Sequence, residues 1–371
     1  MRNMSPMEYG RAACETIMRK YTAPELPPYD ETEKLSQFTY HQGVFLSGMN
    51  RIYQKTGEEC LFQYIKNWVD ATLDDSGRVE EHGGWVSLET LDFRQPGILL
   101  FPLYEKTGEE VYAENIEFLT ESLKQFPVNS KGGFWHMKTQ PYQMWLDGLY
   151  MTGPLMAMYS EKFDKPEFLE IAINQVLVMH RNMSDETSGL LVHGWDESKA
   201  MGWADPISGK SAEIWGRAMG WYVTALADIL DYVPKNHPRH AEMVGIERKL
   251  LERIAQYQDE NSGRWYQVVN KGHVRGNWLE NSCSCLFVYA LSKAIKKGYI
   301  DQRYHAHAKM GFEGIIDSLT YDAEGNLLIG EICVGTCIDE GDYTHYIERP
   351  TCVNDLHGIG AFVLMCSEYE E

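Results

Sequence analysis

The sequence lacks the features that mark several common classes of protein. No two of its eight cysteines are spaced as Cys-x-x-Cys, so neither a paired-thiolate zinc site nor a disulfide scaffold is favoured, and we interpret the cysteines as reduced, mostly buried thiols. No apolar run approaches the ~18 residues of a membrane span, and the N-terminus has no apolar stretch typical of a secretory signal. We therefore expect a cytoplasmic protein that does not associate with a membrane.

Sequence motifs for three large classes of protein are also missing. The chain contains no Gly-rich phosphate loop, no His-Glu-x-x-His and no Gly-x-Ser-x-Gly. Their absence disfavours the commonest nucleotide-binding, zincin and serine-hydrolase functions.

Positive charge is scarce as well. Lys and Arg number 34 against 54 Asp and Glu, which gives a formal net charge of −20. Such a surface is unsuited to binding nucleic acid or anionic membranes, although a local pocket can still bind an anion. Hydrophobic residues are plentiful, at 44% of the chain with 22 Tyr and 10 Trp, so the sequence predicts a large folded core.

An internal repeat indicates the architecture. The run Tyr-Gln-Lys-Thr-Gly-Glu-Glu at 53–59 recurs as Tyr-Glu-Lys-Thr-Gly-Glu-Glu at 104–110, and a shorter third copy begins at Tyr159. Fainter copies begin at Asp231 and Tyr289, and a turn containing glycine follows each copy. Glycine supplies the left-handed backbone that reverses the chain after a helix. The pattern predicts helical hairpins in series.

The two helices of each hairpin differ in polarity. Residues 109–126 mix charged and periodic apolar positions, as expected of an outer helix, whereas residues 139–160 contain a single charged residue, Asp147. An additional outer helix at about 5–21 and an inner one at about 354–369 bring the total to twelve. Because the C-terminal segment is as apolar as the central helices, it should be buried between neighbours. We therefore predict an all-α fold, an (α/α)6 toroid in which residues 1–371 form one catalytic domain.

The repeat register places three polar side chains at equivalent positions. His41, Asp92 and Asp147 each lie 12 residues before a repeat tyrosine, at 53, 104 and 159, and should face one cavity at the leading ends of the inner helices. Two carboxylates in an apolar pocket do not both ionise easily, so one pKa should rise and leave a carboxylic acid near neutral pH. For Asp92 a structural alternative is a helix N-cap, with Gln95 three residues later. Asp147 is harder to explain structurally, because an acid amid apolar residues is costly without a partner or a function.

Further aromatic and basic residues fit the same pocket. They fall in three segments, at 133–138, 193–196 and 214–222, and include His136, Lys138, His193, Trp215, Arg217 and Trp221. Tryptophan faces suit sugar rings, and an arginine or lysine suits a carboxylate. Taken singly, each tryptophan is more simply a core residue and each histidine a satisfied polar group. The interpretation rests on their coincidence at one end of the ring.

Several of these segments resemble a known family. The run Pro-Tyr-Gln-Met-Trp-Leu-Asp-Gly-Leu-Tyr-Met at 141–151 resembles the central motif of glycoside hydrolase family 105, the unsaturated rhamnogalacturonyl hydrolases. The segments at 40–43, 215–221, 281–284, 349–351 and 354–358 are similar to other blocks of that family. The likeness runs from about residue 36 to 366. The related family 88, unsaturated glucuronyl hydrolases, is the near alternative.

The resemblance implies an exo-acting hydrolase of oligosaccharides that a polysaccharide lyase has already cut, for example fragments of pectin. Such fragments end in a 4,5-unsaturated uronic acid, and water adds across the double bond before the next sugar is released. By similarity, Asp147 would be the general acid and base, and Asp92 would hold ring hydroxyls and tune the pKa of Asp147. The implied substrate-binding residues are Tyr40, His41, His136, Lys138, Trp145, His193, Trp215, Arg217 and Trp221. The resemblance implies no metal and no cofactor, a small unsaturated oligosaccharide as substrate, and a monomer or homodimer.

Other functions remain open at the level of sequence. Beside a glucuronyl hydrolase acting on glycosaminoglycan fragments, the same scaffold could carry an inverting glycosidase or a sugar epimerase, because a fold does not determine the chemistry. A sugar-binding protein without catalysis is a third class. It predicts that Asp147→Asn would alter affinity with no turnover to lose.

Overall fold

Helices form most of the structure. The computed structural model describes residues 4–27, 38–79 and 88–370. Thirteen α-helices are found in these residues: α1 Pro6–Lys20, α2 Tyr40–Thr56, α3 Glu59–Ala71, α4 Leu100–Thr107, α5 Glu110–Glu121, α6 Asp147–Lys162, α7 Pro166–Met183, α8 Gly216–Ile229, α9 His240–Gln256, α10 Asn281–Lys296, α11 His305–Ser318, α12 Tyr343–Ile347 and α13 Leu356–Glu368. None of the helices within the described ranges has both the length and the apolarity needed to cross a membrane.

Short antiparallel strand pairs connect the helices. In the same residues, β1 Gln143–Trp145 pairs with β2 Gly194–Asp196, β3 Trp265–Tyr266 with β4 Leu279–Glu280, β5 Thr320–Tyr321 with β6 Leu327–Leu328, and β7 Ile332–Cys333 with β8 Thr351–Cys352. A 3-10 segment, Leu91–Leu99, leads directly into α4. These connections lie between hairpins and contain most of the polar residues of the candidate active site.

The helices form two concentric layers. An inner layer is closed by successive contacts between α2, the Leu91–Leu99 segment with α4, α6, α8, α10 and α13, with α13 returning to α2. Outside it lie α1, α3, α5, α7, α9 and α11, each packed on an inner neighbour. This arrangement confirms the predicted (α/α)6 fold, with the main hydrophobic core between the layers. That the chain forms one domain stays a prediction.

The repeated motif ends the inner helices. Gly57 and Gly108 follow α2 and α4 with φ of 71° and 72°, and each donates its backbone N–H to the repeat tyrosine four residues earlier. This left-handed conformation suits glycine, which has no Cβ to clash. The following glutamates begin α3 and α5. The motif is therefore an inner-to-outer reversal, as the sequence predicted.

Ring closure depends on a close approach of α13 to α2. A Cβ atom on Gly360 would lie 2.6 Å from the backbone nitrogen of Phe45, a distance that real side chains do not tolerate. A glycine here lets the two backbones meet, and neighbouring apolar residues of α13 are fully buried. The C-terminal apolar segment is thus covered on both sides, the condition on which the prediction of closure rested.

The predicted inner helix at 139–160 begins later than its composition suggested. Residues Gln143–Trp145 are extended and pair with β2, and α6 starts at Asp147. Pro141 biases the preceding residue away from helix, and Tyr142 has a φ of 65°, which also interrupts a helix. Asp147 therefore lies at the N-terminus of an inner helix, as His41 does near the start of α2. Similarly, the outer helix predicted at 109–126 ends at Glu121 and continues as the 3-10 turn Ser122–Gln125.

One buried acid lies away from the pocket. Glu247 on α9 is fully buried, and neither carboxylate oxygen has a hydrogen-bond partner among the described residues. Burial raises the pKa of Glu247 well above 4.5, and the positive charge of Lys293 only partly opposes it. The folded chain thus keeps Glu247 protonated at a pH at which the unfolded chain ionises it, so its ionisation destabilises the fold as the pH rises above 4.5.

We expect Glu247→Gln to stabilise the protein in a pH-dependent way. Glutamine has nearly the same shape and does not ionise, so Tm should rise by about 2–4 °C at pH 8 and by less near pH 5. Thermal unfolding of both variants across this pH range measures the effect. The control is Glu252→Gln on the same helix, where the side chain is only partly buried. An equal Tm for wild type and Glu247→Gln at pH 8 would contradict the interpretation.

Candidate active site

A two-strand pairing brings Asp147 beside His193. In the β1–β2 ladder Trp145 lies opposite Gly194, and Leu146 donates its backbone N–H to the carbonyl oxygen of His193 at 3.0 Å. The next residue is Asp147, whose Oδ2 lies 3.2 Å from Nε2 of His193. The two atoms are close, but their geometry is not that of a well-aligned hydrogen bond.

Backbone contacts tie Asp92 to the same strand. His136 donates its N–H to the carbonyl of Gln143 in β1 and accepts from Leu91 at its own carbonyl. Asp92 follows Leu91, and its Oδ1 lies 3.5 Å from Nε2 of His136. The N-cap of this turn is Thr90, whose hydroxyl accepts from the N–H of Asp92. The structural alternative of Asp92 as the cap is therefore wrong.

The two carboxyls differ in acidity. Burial raises the pKa of Asp92 to about 7, and the negative charge of Asp147 adds to the rise. Burial acts in the same direction on Asp147, but the contacts with His193 outweigh it and hold the pKa below its ordinary value of 3.8. The expected rise of one pKa is thus found on Asp92. Near neutral pH Asp92 is therefore partly protonated, while Asp147 is ionised.

Aromatic and imidazole rings enclose the pair. The rings of His136 and Trp145 stack with centroids 4.3 Å apart at 15°, and the ring of His193 lies 4.7 Å from that of Trp215. His136 and His193 are buried, with exposed fractions of 3% and 0%. Burial lowers the pKa of His136 to about 4, so this ring is neutral at pH 7. Flat apolar surfaces beside a proton-bearing pair suit a sugar ring.

Arg217 supplies buried positive charge next to these rings. Its guanidinium lies 4.4 Å from the Trp215 ring centroid and donates to the carbonyls of Cys333 and Val334. Within the described ranges it forms no ion pair with a carboxylate. An arginine held only by carbonyl groups keeps its full charge and can attract an anion locally, despite the net charge of −20.

Tyr40 and His41 lie in a neighbouring cluster. Nε2 of His41 is 3.8 Å from Oδ1 of Asp355, and Nδ1 of His357 is 2.7 Å from the same oxygen. The ring of Tyr40 lies 4.1 Å from that of His41. His41 and Asp355 also line a cavity of about 1000 Å³ beside the pocket. His41 therefore faces Asp355 rather than the Asp92–Asp147 pair.

This cluster is the one group among the described residues that could hold a metal ion. Donor atoms of His41, Asp355 and His357 lie within 4.8 Å of one another. Asp355 is already engaged, because it caps α13 and contacts His357. The carbonyl of Cys333 lies 3.0 Å from the other ring nitrogen of His357. Asp355 therefore has a structural role as the N-cap of α13, with His357 beside it.

Two candidates from the sequence lie away from the carboxyl pair. Lys138 is on the surface, with its ammonium group 2.8 Å from Oε1 of Glu89. Trp221 is buried in the main core, where its ring lies 4.7 Å from that of Tyr150. The structure brings together Asp92, Asp147, His136, Trp145, His193, Trp215 and Arg217 and leaves these two outside that group.

One contributor was missed by sequence reasoning. Tyr346 on α12 is fully buried, and its hydroxyl lies 2.7 Å from Nδ1 of His193. It belongs to the segment 331–348, which carries no recognisable motif and is 153 residues from His193. The same segment supplies both carbonyls that hold Arg217. Only the family-like block that follows it, at 349–358, indicated that this end of the chain approaches the pocket.

Comparison with known proteins identifies the family. The family model described as Glycosyl Hydrolase Family 88 matches residues 9–371. The chain belongs to glycosyl hydrolase family 88. It is therefore a glycoside hydrolase, related to the unsaturated uronyl hydrolases, as the resemblance to families 105 and 88 predicted.

Individual relatives agree with this assignment. The unsaturated rhamnogalacturonyl hydrolase YesR of Bacillus subtilis is 26% identical over 302 residues, covering 80% of this chain and 79% of that protein. A family 105 glycoside hydrolase structure from C. acetobutylicum superimposes with a TM-score of 0.90 at 29% identity, covering 97% and 98% of the two chains. An unsaturated glucuronyl hydrolase from a Bacillus species shares the fold, with a TM-score of 0.71 at 15% identity over 98% and 95% of the chains.

Proposed function

We propose that this family 88 protein hydrates the 4,5 double bond of a terminal unsaturated uronic acid and so releases the next sugar of the oligosaccharide. By family likeness, the proposed substrate is unsaturated galacturonyl-rhamnose from rhamnogalacturonan. The observation that carries the proposal is the Asp92–Asp147 pair, in which the pKa of Asp92 is raised to about 7 while Asp147 stays acidic, beside the rings of His136 and Trp145. The similarity to YesR supports the choice of substrate.

The carboxyl pair suits both proton transfers of a hydration. In the proposed first step Asp147 gives a proton to C4 of the vinyl ether, and positive charge develops at C5. Water then attacks C5 and returns a proton to Asp147, so that the enzyme is regenerated. The resulting hemiketal opens, and the hemiacetal left at C1 expels the next sugar.

The proton must reach Asp147 from Asp92. In the empty site it resides on Asp92, but the substrate brings its own carboxylate, which raises the pKa of nearby carboxyls. The buried charge of Arg217 is suited to attracting that carboxylate, and the Trp145 ring beside the pair to packing on the sugar. We propose that Asp92 is the proton reservoir of the pair and Asp147 the group that transfers the proton.

Loss of ultraviolet absorbance tests the proposal directly. Lyase-generated unsaturated rhamnogalacturonan and glycosaminoglycan disaccharides are incubated with the enzyme while the absorbance of the conjugated double bond is followed. We expect absorbance to fall, faster with the rhamnose-containing substrate, and deuterium from D2O to appear at C4. Saturated disaccharides of the same sugars are the control. Cleavage of the saturated compounds without loss of absorbance in the unsaturated ones would instead indicate an ordinary glycosidase.

A further inference from the structure

Tyr346, His193 and Asp147 form a continuous line of polar groups inside the barrel. The Tyr346 hydroxyl is 2.7 Å from Nδ1 of His193, whose Nε2 is 3.2 Å from Oδ2 of Asp147. Tyr346 and His193 both have exposed fractions of 0%. Water therefore does not reach the contact between the phenol and the imidazole.

The backbone around Tyr346 is held in place. Gln267 donates its side-chain amide to the Tyr346 carbonyl at 3.1 Å, and its side-chain oxygen accepts from the indole N–H of Trp215. Asp342 caps α12 by accepting from the N–H of His345. The phenol is thus fixed relative to the same rings that enclose the carboxyl pair.

The hydrogen count along this line favours one tautomer of His193. A neutral imidazole carries a single N–H. If Nδ1 carried it, the Nε2 lone pair would face the ionised carboxylate of Asp147, and two acceptors would lie in contact. If the Tyr346 hydroxyl donates to Nδ1, the N–H lies on Nε2 and faces Asp147. We propose that Tyr346 is a positioning residue that holds His193 in the Nε2–H tautomer, so that His193 stabilises the ionised form of Asp147.

Several other titratable or charged groups lie near this line. Those that act on Asp147 or Tyr346 are Asp92, His136, Arg217, Glu213, Asp339, Cys333 and Cys337. Burial raises the pKa of Tyr346 well above 10, so its hydroxyl keeps its proton throughout the working range. A change in pH response after mutation therefore reports on the His193–Asp147 contact.

The consequence for catalysis rests on the proposed function. In Tyr346→Phe the proton can move to Nδ1, and the ionised Asp147 loses its donor. The ionised form of Asp147 then becomes less stable, so the pH at which Asp147 takes up a proton should move up by about one pH unit. In the Asp92→Asn enzyme, where Asp147 alone supplies the proton, the limb of kcat/KM reports this pH directly. If Tyr346 served only in packing, its substitution would lower kcat/KM by the same factor at every pH. The pH at which activity falls would then stay unchanged.

A matched substitution lies on the same short helix. Tyr343→Phe removes a hydroxyl that donates to the carbonyl of Val274, remote from the carboxyl pair. Both substitutions are made in the Asp92→Asn enzyme and compared with it for pH profile, and in wild type for Tm. We expect the shift with Tyr346→Phe alone, and an unchanged limb in Tyr346→Phe would overturn the proposal.

Nitrogen-15 NMR of labelled histidine reads the tautomer without relying on activity. The His193 signals are identified by their loss in His193→Gln. We expect the Nε2–H tautomer in wild type and in Tyr343→Phe, and loss of that preference in Tyr346→Phe. The Nδ1–H form in wild type would overturn the proposal. If the enzyme failed to consume any unsaturated substrate, the proposed function would fail while the tautomer remained measurable, so the two failures are distinguishable.

Discussion

Asp147→Asn should abolish turnover of the unsaturated substrate while leaving the fold and substrate binding intact. The amide has nearly the same shape as the carboxyl but can neither give a proton to C4 nor take one from water. Loss of a general acid and base costs about 10²–10⁴-fold. We expect kcat to fall toward the upper end of that range, because one group performs both transfers in the proposed cycle.

Folding should change little in this variant. Asp147 begins α6, where a negative side chain interacts favourably with the helix dipole, a contribution of about 0.3–1 kcal/mol at exposed sites. The same substitution removes an ionised group from a buried position, which offsets part of this loss. Circular dichroism and Tm therefore verify the fold, and calorimetric titration with the unsaturated disaccharide verifies binding.

The control for this experiment is Asp75→Asn, which makes the same chemical change at an exposed turn. We expect wild-type kinetics from the control. A folded Asp147→Asn enzyme that kept more than about a tenth of wild-type kcat would show that another group transfers the proton, because a tenfold loss corresponds to only about 1.4 kcal/mol of the barrier. Altered affinity in a protein without any turnover would favour the sugar-binding alternative.

Local sequence signals were sufficient for the fold because the reversal is local. Within a few residues, each copy contains the end of one helix, a glycine with positive φ and the acidic start of the next helix. Each copy of the repeat therefore predicts its own hairpin. The start of α6 was placed too early because composition alone cannot separate a buried strand from a buried helix over 143–145. Its extended form depends on pairing with residues 194–196, about fifty positions away.

The polar contacts of the site depend on still longer separations. The resemblance pointed to His193 and Arg217, but their partners Tyr346, Cys333 and Val334 lie more than a hundred residues away in the chain. Two of these partners act through backbone carbonyls, which any residue type could supply, so no side-chain pattern marks them. The repeat aligned His41 with Asp92 and Asp147. In the structure, however, Nε2 of His41 faces Oδ1 of Asp355, the N-cap of α13. The catalytic and binding roles themselves stay predictions that the variants test.

Asp92→Asn should lose activity at neutral pH and recover it in acid. The pKa of Asp92 is about 7, so below pH 7 the pair carries its proton and above it both carboxyls are ionised. Wild-type kcat/KM should accordingly fall about tenfold per pH unit on the alkaline side. Asparagine at 92 cannot supply a proton, and Asp147, with a pKa below 3.8, is almost entirely ionised at pH 7.

The loss at pH 7 should therefore be at least about 10³-fold, because with a pKa below 3.8 fewer than about one in a thousand Asp147 side chains carries a proton at pH 7. As the pH falls toward 4, Asp147 itself takes up a proton and the deficit should shrink, whereas Asp147→Asn should stay inactive at every pH. A profile of kcat/KM from pH 4 to 9 for the three enzymes separates these cases. If Asp92 acts only as a neutral partner for ring hydroxyls, asparagine will substitute for it, activity at pH 7 will survive, and the alkaline limb will disappear. That outcome would remove the proton reservoir from the mechanism and leave Asp147 as an acid whose proton must come from solvent.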